Sequence, residues 1–460
     1  MNALSRRKFL RLSAAAAAAL AGLPRVGQAA AGTPIRTEVA VVGAGIAGLA
    51  AARTLAQSRW DVVLLEARER IGGRIWTRQD LGFPMDLGAS WIHGISGNPI
   101  SKLAKTIGME TVPTHYGAIQ VYRDDDTPLS EQEHNALLTR YRSVLTQTYK
   151  MRAASSVERS LGSAVAAVIA QQHFSAAEIR DLHYAFNTEI EHDYGAAIAG
   201  LSLKYWDQDG ELDGPDVLLP GGYRQIIDYL ADGLMIRQGA VVTHVAYGDH
   251  GVQLLTAAGQ EIQARYAIVT VPLGVLKRAA IQFQPALPIS KQQAIAKLGM
   301  GLLNKTWLKF STPFWDGKPE LLGYIGAGKG RWAEWLNFHH YSGQPVLLGF
   351  NAAAYAQTME NWDDNAIVDD ALSVLRTLYG SAVTEPEGYA ITRWRQDEFA
   401  GGSYSYLATG AVPQHFDDLA RPVARRLFFA GEATHRRYPQ TVHGAYLSGI
   451  RAAGQINDLG

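Results

Sequence analysis

An α/β fold built on a Rossmann-like βαβ unit is predicted by three features read together. Residues 38–42, Glu-Val-Ala-Val-Val, form a short β-branched run that feeds the glycine turn Gly43-Ala44-Gly45-Ile46-Ala47-Gly48. An Ala/Leu-rich helical stretch follows to about Gln57, and a second apolar run at residues 62–65 ends at Glu66. Strand, glycine turn, helix, strand and acid is the order of a dinucleotide-binding unit. Gly43, Gly45 and Gly48 permit a tight turn and let backbone N–H groups, with Ala47 in the first helical turn, approach a pyrophosphate. Glu66, 18 residues beyond Gly48, is spaced to accept from a ribose 2′-hydroxyl. A glycine triplet alone is weak; the flanking elements and the acid make it specific.

The chain has 460 residues, 47% hydrophobic, 19% charged and 9% aromatic. That composition excludes a disordered, collagen-like or coiled-coil protein, and the length implies two domains or interleaved lobes of roughly 150 to 250 residues each. No cysteine is present, so disulfides, thiolate nucleophiles and cysteine metal sites are excluded. Basic and acidic residues both number 43, but residues 1–31 hold Arg6, Arg7, Lys8, Arg11 and Arg25 and no acid, leaving 38 basic against 43 acidic residues beyond them. That balance argues against a nucleic-acid partner and for a cationic small molecule.

Ser5-Arg6-Arg7-Lys8-Phe9-Leu10 sets two adjacent arginines before an apolar run at residues 14–23, with small residues at 29–31 where a peptidase could cut. This resembles a twin-arginine export signal. The expected partner is the twin-arginine export machinery and the expected location periplasmic or secreted. Ten apolar residues fall short of the ~20 that span a bilayer, so no stable membrane anchor is expected.

Helical stretches broken by serine-rich turns are predicted over 131–182, and an acidic, glycine-rich loop over 205–222. A helix follows to Leu234, then β runs at 241–245, 251–255 and 267–271. Residues 302–310 alternate as a strand with Leu303, Lys305, Trp307 and Lys309 on one side. The carboxy-terminal end returns to α/β order, with a strand at 427–430, the turn Gly431-Glu432-Ala433-Thr434 and a helix over 442–456.

Glu66 is followed at once by Ala67-Arg68-Glu69-Arg70-Ile71-Gly72-Gly73-Arg74. That run is similar to the second part of the FAD signature of flavin-containing amine oxidases. Leu87-Gly88-Ala89-Ser90-Trp91-Ile92-His93-Gly94 resembles the flavin-edge loop of polyamine oxidases. Phe429-Ala430-Gly431-Glu432-Ala433-Thr434, with Thr441-Val442-His443-Gly444, resembles the family's carboxy-terminal flavin clamp. The resemblance runs from residue 36 to the end. It implies a discontinuous FAD-binding domain, at 33–110, 223–290 and 391–460, interleaved with an α+β substrate-binding domain at 111–222 and 291–390. FAD is the expected cofactor, held non-covalently since no cysteine can bond it.

Carried over residue by residue, the resemblance implies cofactor contacts at Gly43, Gly45, Ala47, Gly48, Glu66, Ala67, Arg68, Gly73, Arg74, Gly88, Ala89, Ser90, Trp91, Val242, Trp394, Gly431, Glu432, Thr441 and Val442. Glu432 would reach the phosphate-ribityl region, and the helix from Val442 would aim its positive end at the flavin N1 and C2 carbonyl. Lys305, in Asn304-Lys305-Thr306, matches the lysine that bonds through water to flavin N5; flanked by Leu303 and Trp307, it reads as desolvated, whereas Lys309 reads as a surface lysine. Tyr404 would form one aromatic wall of a substrate cage, with Tyr406 a weaker candidate. Thr441 stands where monoamine oxidases carry the opposite tyrosine, as in lysine-specific histone demethylases. His93 matches the histidine of animal spermine and acetylpolyamine oxidases and would bind or deprotonate a substrate nitrogen. No metal site is expected; His339-His340 is an isolated pair.

Asp207, Asp209, Glu211, Asp213 and Asp216 crowd one loop. Such runs are usually solvated faces; at a pocket rim they would steer a polycation. The implied reaction is oxidation of a polyamine of the spermine or spermidine type by hydride transfer, with oxygen as acceptor and an aldehyde, a smaller amine and hydrogen peroxide as products. Oxidation of aromatic or aliphatic monoamines, or electron transfer to a periplasmic carrier, is the alternative.

Overall fold

The computed structural model describes residues 33–154 and 156–459; the export signal expected at residues 1–31 lies outside them. Its first sheet has eight strands. Gln282–Gln284, Val242–Gly248, Gly251–Thr256, Glu261–Val269, Ile35–Val42, Val62–Leu65 and Ile236–Arg237 lie side by side in that order, and Leu427–Phe429 also pairs with Glu261–Val269. Ile35–Val42 runs parallel to both its neighbours, with Val41 beside Leu64 and Ile268. Its last four residues are buried, the unbroken apolar pattern of a parallel strand covered on both faces.

One of those faces carries the helices Ile46–Gln57 and Val442–Asn457. They approach closely because Gly449 has no side chain: a Cβ there would lie 2.1 Å from Ala47 O. Leu49, Leu55, Ile226, Ile268, Phe428 and Ile456 share the core beneath them, so the two ends of the chain close one layer. Each CH₂ so buried contributes about 0.8 kcal/mol.

The second sheet has six strands, Gly388–Ile391, Leu303–Lys309, Val346–Ala352, Glu334–Asn337, Leu321–Ile325 and Ile119–Arg123 in spatial order. All its pairs are antiparallel except the last. Helices Glu131–Ala154, Leu161–Ala170 and Ala176–Phe186 pack beside it. The third of these widens into a π-helical turn, Asn187–Glu191, and ends at His192–Tyr194 with Gly195 left-handed at φ 60°. Wide turns of this kind concentrate at functional sites.

Several elements differ from the sequence reading. Leu303–Lys309 is buried along its whole interior and not on one side only. It is a central strand between two partners, with Leu308 and Trp307 in separate apolar clusters on its two faces. Lys309 is half-buried and donates to Leu81 O at 3.1 Å. The helix expected to reach Leu234 spans only Arg224–Ala231, and the β run expected from 267 starts at Glu261.

Candidate active site

At the first glycine turn, Gly43 has φ +104°, and a Cβ on Gly48 would lie 1.9 Å from Gly43 O. The turn and helix can meet only through hydrogen at these positions. Gly45 is different: a Cβ there would meet nothing nearer than Gly72 O at 3.9 Å, which leaves an open cradle. No side chain caps the helix that follows, and its first turn has no acid. Its free N–H groups therefore face the cradle, a ready anion site. Glu66 accepts from Ala44 N at 2.8 Å and Arg68 N at 2.9 Å, one with each oxygen, and so stands fixed beside the turn with lone pairs to spare. Ala67 is half-buried next to it. Gly73 O accepts from Arg70 Nη1 at 2.8 Å, and Arg68 is paired with Asp397 at 2.5 Å.

Arg74 Nη1 bonds Glu432 Oε1 at 2.9 Å and Ser403 O at 2.8 Å. The other Glu432 oxygen accepts from Ser405 Oγ at 2.6 Å and Gln440 N at 2.9 Å. Glu432 is thus a clasp within the protein, a role the sequence did not reveal. Beside it, Gly431 takes φ +125° and leaves open space where a side chain would stand. Arg74, Val269, Pro272, Gly431 and Glu432 line a cleft at the ends of the parallel strands, where α/β sheets hold their ligands. Thr441 caps the last helix, accepting from Gly444 N and donating to Tyr438 O, both at 3.0 Å. Its hydroxyl hydrogen is therefore committed. Val442, half-buried, opens that helix.

Lys305 is 4% exposed. Its ammonium donates to Asp86 O at 3.1 Å, to Gly88 O at 2.6 Å and to Ser90 Oγ. An ammonium has three protons, so all are used, and a water can be held only in exchange for one of these bonds. Burial pushes the ammonium down, against the attraction of Asp86, while burial pushes the Asp86 carboxyl up. Asp86 also accepts from Tyr223 N and Thr77 Oγ1. Gly88 is required here, because a Cβ would lie 1.7 Å from Arg74 O. Ala89 is half-buried, and the Trp91 ring lies 5.6 Å from Lys305 Nζ. Trp394 is 4% exposed, with Nε1 bonded to Leu87 O at 3.2 Å, and so supports this loop from behind. Val242 has its side chain in the sheet core, so only its backbone can meet a ligand.

His93 Nδ1 lies 2.7 Å from Asp216, which also takes Gly94 N at 2.8 Å and Tyr116 OH at 2.9 Å. Burial would lower His93, but the hydrogen bond and charge of Asp216 outweigh it and raise the imidazole. The acidic loop is a solvated face only in part: Glu211 and Asp213 are exposed, whereas Asp207, Asp209 and Asp216 are engaged. Asp207 pairs with Arg152 at 2.7 Å, and Asp209 accepts from Tyr194 OH at 3.1 Å and Gln440 Nε2 at 3.2 Å. Tyr404 OH donates to His192 O, which ties the aromatic wall to the turn after the π-helix. Tyr406 packs its ring over Gly299, where a Cβ would be 2.2 Å away, and is a core residue.

Sequence reasoning missed Asp86, Asp193, Glu189, Glu334 and His192. Asp86 directly precedes the flavin-edge motif. Glu189 and Asp193 stand four apart on a helical stretch, an unfavourable like-charge pair that was the available signal. Enclosure, with Glu189 and Glu334 nearby, pushes the Asp193 carboxyl up to about 7 against the pull of His93 and His192. Among the described residues no group of three or more potential ligands could hold a metal, and no helix is long and apolar enough to cross a membrane.

The open cradle at Gly45, the uncapped helix, the pinned Glu66 and the cleft beside Gly431 fit an extended dinucleotide. Comparison with known proteins agrees. The model of the flavin-containing amine oxidoreductase family matches residues 46–457. Polyamine oxidase 2 of Arabidopsis thaliana is 36% identical over 433 residues, covering 90% of this chain and 87% of that protein. Lysine-specific histone demethylase 1 homolog 1 of Oryza sativa subsp. japonica is 37% identical over 448 residues, covering 91% of this chain and 52% of that protein. The chain thus spans about half the length of the demethylase relatives it matches. A solved structure of putrescine oxidase bound to putrescine has a TM-score of 0.74 at 21% identity and covers 92% of this chain and 100% of its own, which shows the shared fold. With the glycine cradle and its family's motifs at the two ends, the chain belongs to the flavin-containing amine oxidoreductase family, whose cofactor is FAD.

Proposed function

We propose that this protein oxidises a polyamine of the spermine or spermidine type to an aldehyde and a smaller amine. FAD, when bound, would supply the two-electron acceptor for the amine's hydride, with oxygen as the final oxidant and hydrogen peroxide as its product. Gly43, Gly45, Gly48, Glu66 and Arg74 would hold it, and the amino-terminal end of the last helix, capped by Thr441, would favour negative charge near it. The observation that carries the reading is the His93–Asp216 pair, set on the same loop that Lys305 anchors through Gly88 and Ser90.

A protonated amine cannot release hydride, so the site must accept a proton first. With His93 Nδ1–H bonded to Asp216, Nε2 is the nitrogen free to take it. Lys305 fixes the Gly88–Ser90 backbone, and Tyr404, held by His192 O, provides an aromatic surface that favours a cationic or developing iminium nitrogen. The near-complete mutual coverage with a polyamine oxidase supports the same substrate class.

The test is to purify the yellow protein and add spermine, spermidine, putrescine, tyramine or an L-amino acid under argon. Bleaching by polyamines, with peroxide on admitting air, is expected. Bleaching by tyramine alone would replace the reading with a monoamine oxidase, and failure to recolour in air with a dehydrogenase. We also propose that residues 1–31 direct twin-arginine export; Arg6→Lys together with Arg7→Lys should retain the protein in the cytoplasm, and unchanged export would overturn this.

A further inference from the structure

A buried carboxylate behind the candidate active site grips the segment that supports it. Glu320, 4% exposed, precedes the strand Leu321–Ile325, and its backbone is fixed by bonds from Glu320 N to Ala118 O at 2.8 Å and from Asn337 N to Glu320 O at 2.9 Å. One side-chain oxygen accepts from His115 N at 2.8 Å and from Tyr341 OH; the other lies 2.8 Å from His115 Nδ1 and 3.7 Å from His340 Nε2. Burial would raise this carboxyl, but Tyr341 and His115 outweigh it and hold it low. Glu320 is therefore an ionised group that only accepts.

The residues on either side of His115 face the candidate active site. Thr114 Oγ1 accepts from Trp91 Nε1 at 2.9 Å, and Thr114 N donates to Asp216 O at 2.9 Å. Tyr116 OH donates at 2.9 Å to the Asp216 carboxylate that holds His93. Thr114 also bonds toward the Tyr341 oxygen, holding that phenol lower than burial alone would. The hydrogens thus run one way, from the Trp91 indole to Thr114, from Thr114 to Tyr341 and from Tyr341 to Glu320. A pure acceptor at the end of such a chain fixes the direction of every bond in it. Thr114 and Tyr341 are buried, so the chain is shielded from water. At its other end the Trp91 ring lies 5.6 Å from Lys305 Nζ and 6.0 Å from the Phe350 ring. Pairing with Leu218 sets the Trp91 backbone; the bond at Nε1 sets the plane of its ring.

We infer that Glu320 is a positioning residue: through Tyr341 and Thr114 it orients the Trp91 indole beside the Lys305 ammonium, and through His115 it holds the segment that carries the partners of Asp216. It touches no reacting atom. Its effect is on geometry, where a displacement of about 1 Å costs up to a hundredfold in rate. The consequence for turnover rests on the amine-oxidising reading, whereas the orientation of Trp91 is a separate claim.

The experiment uses holoenzyme labelled with 5-fluorotryptophan, in which the Trp91 fluorine resonance is the one lost in Trp91→Phe. Tyr341→Phe and Glu320→Ala should both move that resonance. Glu320→Gln should leave it near its wild-type position, because the amide oxygen can still accept from His115 N and Tyr341 OH. Spermidine turnover per bound flavin should fall about fivefold in Tyr341→Phe with little change in KM, and Tyr341→Phe should cost nothing further in a Trp91→Phe background. A Trp91 resonance unmoved by Tyr341→Phe, or the same loss of turnover in both backgrounds, would overturn the inference. Tyr341→Phe removes one oxygen only, so it tests the chain even if Glu320→Ala does not fold. Should no amine bleach the wild type, the oxidase reading falls instead, and the fluorine resonance still decides the role of Glu320.

Discussion

Arg74 Nη1 and Glu432 Oε1 lie 2.9 Å apart, joining segments separated by 358 residues. Glu432 is 6% exposed in its side chain and Arg74 22%. The pair sits where the strand ends of the first sheet open into a cleft, so it locks the two halves of the dinucleotide site against each other.

Removing Arg74 leaves Glu432 buried with its charge unmatched. Arg74→Ala should cost about 3 kcal/mol of stability and release FAD, whereas Arg74→Ala with Glu432→Gln should recover part of the stability. Denaturant unfolding and the flavin absorbance after gel filtration measure both; an Arg74→Ala protein that stays yellow and equally stable refutes the clasp.

Lys305 and Asp86 form a second coupled pair. Lys305→Met orphans three oxygens and removes the charge that offsets Asp86, so a loss of about 3 kcal/mol is expected. In a double-mutant cycle, Asp86→Asn should cost less in the Lys305→Met background than in wild type. Stability is expected to recover partly in the double variant, and turnover is not. Additive losses would show that the two do not interact.

The His93 imidazole is raised because Asp216 outweighs burial. A neutral His93 is the form that takes a proton, so kcat/KM should climb with pH as His93 deprotonates. Asp216→Asn removes the carboxylate that does most to raise the imidazole, with its hydrogen bond and its charge together. The imidazole then loses its proton at lower pH, and the ascending limb should shift toward acid. A shift toward alkali, or none, would exclude His93 as the titrating group.

Lys291 is 1% exposed, bonds Asp418 O and Leu419 O, and sits 4.0 Å from the centre of the Phe429 ring. Burial pushes it down to about 7, against about 10.4 in the unfolded chain. Between these values the unfolded state binds more protons, so this group adds stability as pH rises through that window and opposes folding most below it. Lys291→Met should flatten the rise of melting temperature between pH 7 and 9; an unchanged slope would mean that Lys291 titrates normally.

Much of the fold was legible because its signals are local. The glycine turn, the Glu66 spacing and the carboxy-terminal glycine–glutamate turn each require particular backbone geometry within a few residues, and the strands and helices around them followed. Reading one face for Leu303–Lys309 failed because alternation cannot reveal a strand flanked and covered on both sides. The acidic loop was read as solvated because the partners of Asp207, Asp209 and Asp216 are distant in the chain.

From its residues alone the chain determined its α/β class, its dinucleotide unit and its family, for these rest on short-range sterics and on motifs that few other sequences satisfy. Only the tertiary structure decided which charges meet. Glu432 closes on Arg74, Lys305 exhausts its protons on the loop from Asp86 to Ser90, and Asp193 meets Glu189, Glu334, His93 and His192. Electrostatic pairing depends on distance in space and on exclusion of water, and packing sets both.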